Sequence, residues 1–142
     1  MQKFNFRLAS VLRLREMKLA MEREKLQGLL NEAARLERSL AGLLDERKEA
    51  LAFVQSHPEE SHAGLRALSA FMLGSEARAA MLRDSLQGTQ RLIADQRQRV
   101  MAADRNERLL LKLKEKKLAD WRRQNDLELE ALAQECWAAV RR

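Results

Sequence analysis

Both histidines of this 142-residue chain lie in one short polar segment, His57-Pro-Glu-Glu-Ser-His62. Imidazole and carboxylate groups are common zinc ligands, so the segment is the first candidate for chemistry. A structural zinc site needs four ligands, however, and the sequence offers no further cluster of ligand residues near these two histidines. We therefore interpret the segment as a polar turn and expect no bound metal.

Other catalytic patterns are also missing from the sequence. It has no glycine-rich phosphate loop, no paired-cysteine metal site and no pair of histidines at the spacing of a helical zinc site. Cys136 is the only cysteine and cannot form an internal disulfide. Its helical pattern beside Trp137 predicts a small buried apolar side chain. We expect a protein that is not an enzyme and that holds no cofactor.

The composition indicates an all-α fold. The chain contains one proline, five glycines and no tyrosine, and it is rich in residues that favour helices, such as alanine, leucine, glutamate and arginine. Charged residues make up 34% of the sequence and interrupt every apolar run. A narrow apolar seam is therefore expected in place of a broad core, and no segment is apolar enough to span a membrane or to form a secretory signal.

The first half of the chain carries a heptad repeat. Apolar residues recur at alternating steps of three and four, which is typical of a left-handed coiled coil. The repeat predicts a first helix from about residue 6 to 56. Its seam positions are Leu8, Leu12, Arg15, Leu19, Glu22, Leu26, Leu29, Ala33, Leu36, Leu40, Leu43, Arg47, Ala50 and Val54.

The second half carries a more polar repeat after a turn predicted at about residues 57–64, which include the only proline. A second helix is predicted at about 65–138, with a possible break near Gly74. Its seam positions are Leu82, Leu86, Thr89, Ile93, Gln96, Val100, Ala103, Glu107, Leu111, Lys114, Leu118 and Trp121. The fold class is thus a long two-helix antiparallel coiled coil, or helical hairpin, in a single domain of residues 1–142.

The second helix is predicted to be longer than the first. If residue i lies opposite roughly residue 121 − i, the helix beyond residue 114 has no partner within the chain. This overhang carries Trp121, Leu129, Leu132, Cys136 and Trp137. Exposed tryptophan and leucine residues are typical of sites where proteins meet, so we expect a partner or self-association there.

Positive charge is concentrated in two segments that the hairpin would bring together. The net charge is +6, and residues 1–25 and 105–123 contribute most of the basic residues. Such a basic end could bind nucleic acid, an anionic membrane surface or an acidic protein. Aromatic stacking platforms for nucleic acid are absent, and Glu115 and Asp120 interrupt the apolar face that membrane binding needs. We therefore expect a protein partner, no nucleic acid and no direct membrane insertion.

Two segments resemble the flagellar FliJ family. The opening Phe4-Asn-Phe-Arg-Leu-Ala-Ser-Val-Leu-Arg-Leu-Arg-Glu16 is similar to the F-x-F-R-L-x-x-V-L-x-L-R-E start of its members. The stretch Leu109-Leu-Leu-Lys-Leu-Lys-Glu-Lys-Lys-Leu-Ala-Asp-Trp-Arg-Arg123 is similar to a downstream L-x-K-L-K-E run that is followed by an aromatic and basic residues. After Arg123 the chain lacks the basic, glutamine-rich run often seen in the family.

The resemblance implies a cytoplasmic component of the flagellar type III export apparatus, peripheral at the inner membrane. Its implied partners are the export ATPase hexamer, which it enters as a central stalk, the export gate membrane protein, and export chaperones. Phe71 corresponds to the implied gate contact. The other implied binding residues are Phe4, Phe6, Leu8, Leu12, Arg15, Lys112, Lys114, Lys116, Lys117, Trp121, Arg122 and Arg123. The stalk of a virulence injectisome and a generic structural coiled coil remain alternatives.

Overall fold

The computed structural model describes residues 3–57 and 61–141. These residues form two α-helices, α1 (Ala9–Ser56) and α2 (Ser61–Val140), and contain no strand. The two helices pack as an antiparallel coiled-coil hairpin in which α2 is the longer. The all-helical fold class that the heptad repeats predicted is confirmed.

The ends of the helices differ from the predicted ends by a few residues. Residues 3–8 are not helical, and α1 begins at Ala9. The Ala9 amide donates to the Phe6 carbonyl at 3.0 Å at the start of the helix. α2 already begins at Ser61, inside the predicted turn. His57 is non-helical. This is expected of a residue before proline, because the proline ring clashes with the helical conformation of the residue that precedes it. Pro58, Glu59 and Glu60 lie outside the described residues.

The break considered near Gly74 is absent, because α2 runs through it without interruption. Ser75, the next residue, is only 3% exposed. Its hydroxyl donates to the Met72 carbonyl at 3.0 Å, so this buried polar group is satisfied within α2 itself. One interior glycine costs a helix about 1 kcal/mol, which the packing of such a long helix can offset.

Replacing Gly74 with alanine is expected to raise the free energy of unfolding by about 0.5–1 kcal/mol, because alanine restricts the unfolded chain more than glycine does. Apart from the adjoining residues and the backbone of α2 itself, no heavy atom lies within 4 Å of the position that a Cβ atom would take at Gly74, so the methyl group causes no clash. Urea unfolding followed by circular dichroism would measure the change. Unchanged stability would contradict the expected gain, and lower stability would show that α2 needs glycine at this point.

The seam of the unit Arg23–Arg99 mixes aliphatic and polar side chains. Its buried residues are Ala33, Leu36, Leu43, Ser75, Ala79, Thr89, Ile93 and Gln96. The Thr89 hydroxyl donates to the Ser85 carbonyl at 3.0 Å, which allows it to occupy a buried seam position. The seam thus extends upstream of Leu82 to Ala79 and Ser75, two positions that the repeat analysis had not included.

An ion pair links the two helices within this unit. Arg47 donates to Glu76 at 2.8 Å, and Arg83 lies 3.3 Å from the other oxygen of the same carboxylate. Hydrogen bonds from Arg47 and then Arg83 hold the pKa of Glu76 below its ordinary value. The predicted register placed residue 47 opposite residue 74, so the observed pairing differs by about two residues, less than one helical turn.

The second unit comprises Met1–Glu22 and Val100–Arg142. Its buried side chains are Phe6, Leu12, Leu19 and Ala103, and Arg15 is half-buried. Within residues 3–57 and 61–141, neither helix has a stretch long and apolar enough to cross a membrane.

Candidate protein-binding site

The non-helical residues 3–8 lie against α2 and form a groove with it. On α2 the groove is lined by Leu113, Lys117 and Trp121, which are spaced four residues apart and therefore lie on successive turns of one face. The Phe4 and Trp121 rings are in contact, with centroids 6.0 Å apart and planes tilted by 57°. This geometry is favourable for an aromatic pair.

The sequence had led us to place Trp121 in an overhang without a partner in the chain. That placement is wrong, because Trp121 contacts Phe4. The prediction began the first helix at about residue 6 and therefore gave α2 no partner beyond residue 114. An extended segment advances roughly 3.3 Å per residue, whereas a helix advances roughly 1.5 Å. Because residues 3–8 are not helical, a few of them reach one to two turns further along α2 and half-bury Trp121.

We call this feature the aromatic groove, a cleft of about 760 Å³. It is lined by Lys3, Phe4, Asn5, Phe6, Arg7, Leu8, Leu113, Lys117 and Trp121. The apolar part consists of the aromatic and leucine side chains, and three cations surround it. No acidic side chain lines it among the residues that the structure describes. Such a site favours a ligand that combines apolar groups with negative charge.

Six of the residues that the family resemblance implies for partner binding are basic residues of α2, and they do not share one helical face. They are Lys112, Lys114, Lys116, Lys117, Arg122 and Arg123. At 3.6 residues per turn, Lys112, Lys116 and Arg123 fall within a narrow stripe on the side of α2 away from the seam. Arg105 lies on the same line. We call Arg105, Lys112, Lys116 and Arg123 the outward stripe.

The other three basic residues project in different directions. Lys117 lines the aromatic groove, and Arg122 lies between the outward stripe and the seam. Lys114 occupies a predicted seam position but is exposed, whereas the neighbouring Leu113 is half-buried against the groove. Only the outward stripe therefore presents several cations to one flat partner.

The predicted N-terminal residues have two structural roles. Phe6 and Leu12 are buried, so they are placed to hold the helices together and are not free to contact a partner. Phe4 and Leu8 line the aromatic groove, where a ligand could reach them. Arg15 is half-buried at its seam position.

Phe71 lies in the unit Arg23–Arg99, on α2, and is 38% exposed. Its neighbour Met72 is half-buried. The Phe71 ring is thus accessible from solvent. Other exposed large apolar residues of this unit, which the sequence analysis did not single out, include Phe53, Leu65 and Leu73.

Residues 126–140, which we call the extension, are exposed throughout. Cys136 is among them, so the prediction that it is buried is wrong: within residues 3–57 and 61–141, nothing packs against α2 at this point to cover it. Trp137 is 62% exposed, and the Arg141 guanidinium lies 3.9 Å from the centre of its ring. This cation–π contact covers one face of the indole only.

In the described part of the histidine segment, the side chains are not arranged as a metal site. His57 stacks on Phe53 with ring centroids 4.5 Å apart, while Glu59 and Glu60 lie outside the described residues. Within residues 3–57 and 61–141 no three histidine, cysteine or carboxylate side chains are grouped closely enough to hold a metal ion.

Sequence reasoning missed Lys3, Arg7 and Leu113 as parts of the groove. The step of four from Leu113 through Lys117 to Trp121 was visible in the sequence, and it marks a face beside the seam. The path of residues 3–8 was not visible, because a short non-helical segment has no periodicity.

Comparison of the chain with protein-family models, with curated proteins and with solved structures finds no match.

Proposed function

We propose that the chain is a non-enzymatic component of the flagellar type III protein export apparatus that binds the hexameric export ATPase as a central stalk. In this proposal its basic end, made of the aromatic groove and the outward stripe, contacts the ATPase. Other parts of the chain contact the export gate and the export chaperones, and the protein is peripheral at the cytoplasmic face of the inner membrane.

One observation carries the proposal. The two sequence segments that resemble the FliJ family, Phe4–Glu16 and Leu109–Arg123, are far apart in sequence, yet they contact each other through Phe4 and Trp121. Family motifs that meet in space are expected to form one functional surface. The surface formed here is basic and partly apolar, as binding to an acidic protein surface requires.

The hairpin supports the stalk role for a mechanical reason. Two helices paired along a seam resist bending better than one helix, and the buried residues Leu12, Leu19 and Ala103 couple them in the same unit as the basic end. Positive charge on the basic end steers and orients the chain toward an acidic ring of the ATPase without requiring a unique fit.

The test is a pull-down and ATP-hydrolysis assay of the full chain with the flagellar export ATPase of the same organism. The injectisome ATPase and a DNA duplex serve as comparison ligands. We expect the chain to bind the flagellar ATPase and to stimulate its hydrolysis of ATP. We expect no binding to the injectisome ATPase or to the DNA duplex. Preference for the injectisome ATPase would transfer the stalk role to that system, and steeply salt-dependent binding to DNA without the ATPase would overturn the proposal.

A further inference from the structure

The extension differs in charge from the basic end that precedes it on the same helix. Residues 126–140 contain Asp126, Glu128, Glu130 and Glu135 and no lysine or arginine. Leu127, Leu129 and Leu132 add exposed apolar surface to it. The extension thus combines negative charge with apolar groups, which are the two properties that the aromatic groove favours in a ligand.

The two features also share one side of α2. At 3.6 residues per turn, Glu128, Leu132 and Glu135 lie in the same angular sector as the groove residues Lys117 and Trp121. They cannot meet within one chain, because α2 is continuous from Ser61 to Val140 and has no turn at which the extension could fold back. They can meet only between two chains.

We propose that the aromatic groove is the docking site for the extension of a second copy of this chain, in a reciprocal antiparallel dimer. When two α2 helices run antiparallel with Lys117 opposite Glu128 of the second copy, Leu113 lies opposite Leu132 of that copy. The two-fold axis then repeats both contacts, so one pair of complementary surfaces is used twice. Lys3 and Arg7 add positive charge on the same groove.

Pairing of the two extensions with each other is disfavoured by their charge. Each extension carries four acidic residues without a basic one, so side-by-side pairing would bring like charges together. Docking on the groove instead places Glu128 opposite Lys117, with Lys3 and Arg7 on the same groove. The dimer follows from surfaces of this chain alone and does not depend on the proposed export function. Because both use the aromatic groove, a groove filled by a second copy is not free for the ATPase.

Sedimentation equilibrium of the full chain at low salt, over a hundredfold range of concentration, tests the proposal. A monomer–dimer equilibrium that weakens as salt rises is expected, since exposed ion pairs are screened. Lys117→Glu and Glu128→Lys should each weaken the dimer by about tenfold or more, because each replaces attraction with repulsion. The double variant should restore it, while Glu49→Lys, an exposed change in the other unit, should have no effect.

A spin label on Cys136, the only cysteine and an exposed one, tests the register. The proposed pairing puts the two-fold axis near residue 122 or 123, so the two labels should be about 40 Å apart at 1.5 Å per residue. Extension-to-extension pairing would bring them within about 15 Å. A chain that stays monomeric at all concentrations, or a dimer with the short distance, would overturn the proposal.

Discussion

Leu19→Ala is expected to lower the free energy of unfolding by about 2–5 kcal/mol, the range for removing a well-packed leucine side chain. Leu19 is 3% exposed and lies at a predicted seam position of α1. The paired helices have only a narrow core, so neighbouring side chains have little freedom to fill the cavity. Urea unfolding followed by circular dichroism at 222 nm would measure the loss.

Leu14→Ala is the matched control. It is the same substitution in the same helix, so the change in helix propensity is the same, but Leu14 is 63% exposed. Its effect should stay within about 0.5 kcal/mol. Equal losses for the two variants would contradict the placement of the seam, because the two leucines differ in burial and not in the helix that carries them.

The seam was the part of the fold that could be predicted best. Its positions depend on the 3.5-residue repeat, which is a local property of the sequence. Every predicted α1 position from Leu12 to Val54 is buried or half-buried, and Leu8, the first, is exposed beside the groove. Three of these positions carry charged residues that are half-buried, namely Arg15, Glu22 and Arg47. A long charged side chain can occupy a seam position because it buries its stem and exposes its polar end.

The basic end was predicted only in part. Its charge could be counted from the sequence, but the grouping of the cations depends on where each side chain projects, and the helix had been predicted to begin at about residue 6, whereas residues 3–8 are not helical. Their non-helical path places Phe4 on Trp121 and creates the aromatic groove. Tertiary contact decides such a path, since a segment this short has no periodic pattern to read.

Apolar character alone did not predict burial in α2. Trp121 and Cys136 lie in similar helical patterns, yet one is covered by the N-terminal segment and the other is exposed. The difference depends on how far the partner segment extends. Likewise Gly74 did not interrupt α2, because the packing of residues on both sides outweighs the cost of one glycine.

Reversing three charges of the outward stripe, Lys112→Glu, Lys116→Glu and Arg123→Glu together, is expected to weaken binding to the export ATPase by about a hundredfold or more. The three side chains are exposed and share one face, so a single acidic surface can contact all of them. Each reversal replaces attraction with repulsion, which costs several-fold to tenfold in affinity at an exposed site. Fluorescence anisotropy of the labelled chain, titrated with ATPase, would measure the change.

The matched control reverses Lys18, Lys114 and Arg122, exposed residues of the same unit that lie outside both the outward stripe and the aromatic groove. Both triple variants have the same net charge, so any effect of overall charge on encounter is equal in the two. Circular dichroism should show equal helicity. A much larger loss for the outward-stripe variant would assign the contact to that face. Equal losses would mean that the ATPase responds to the field of the basic end as a whole, and the outward stripe would then have no separate role in binding.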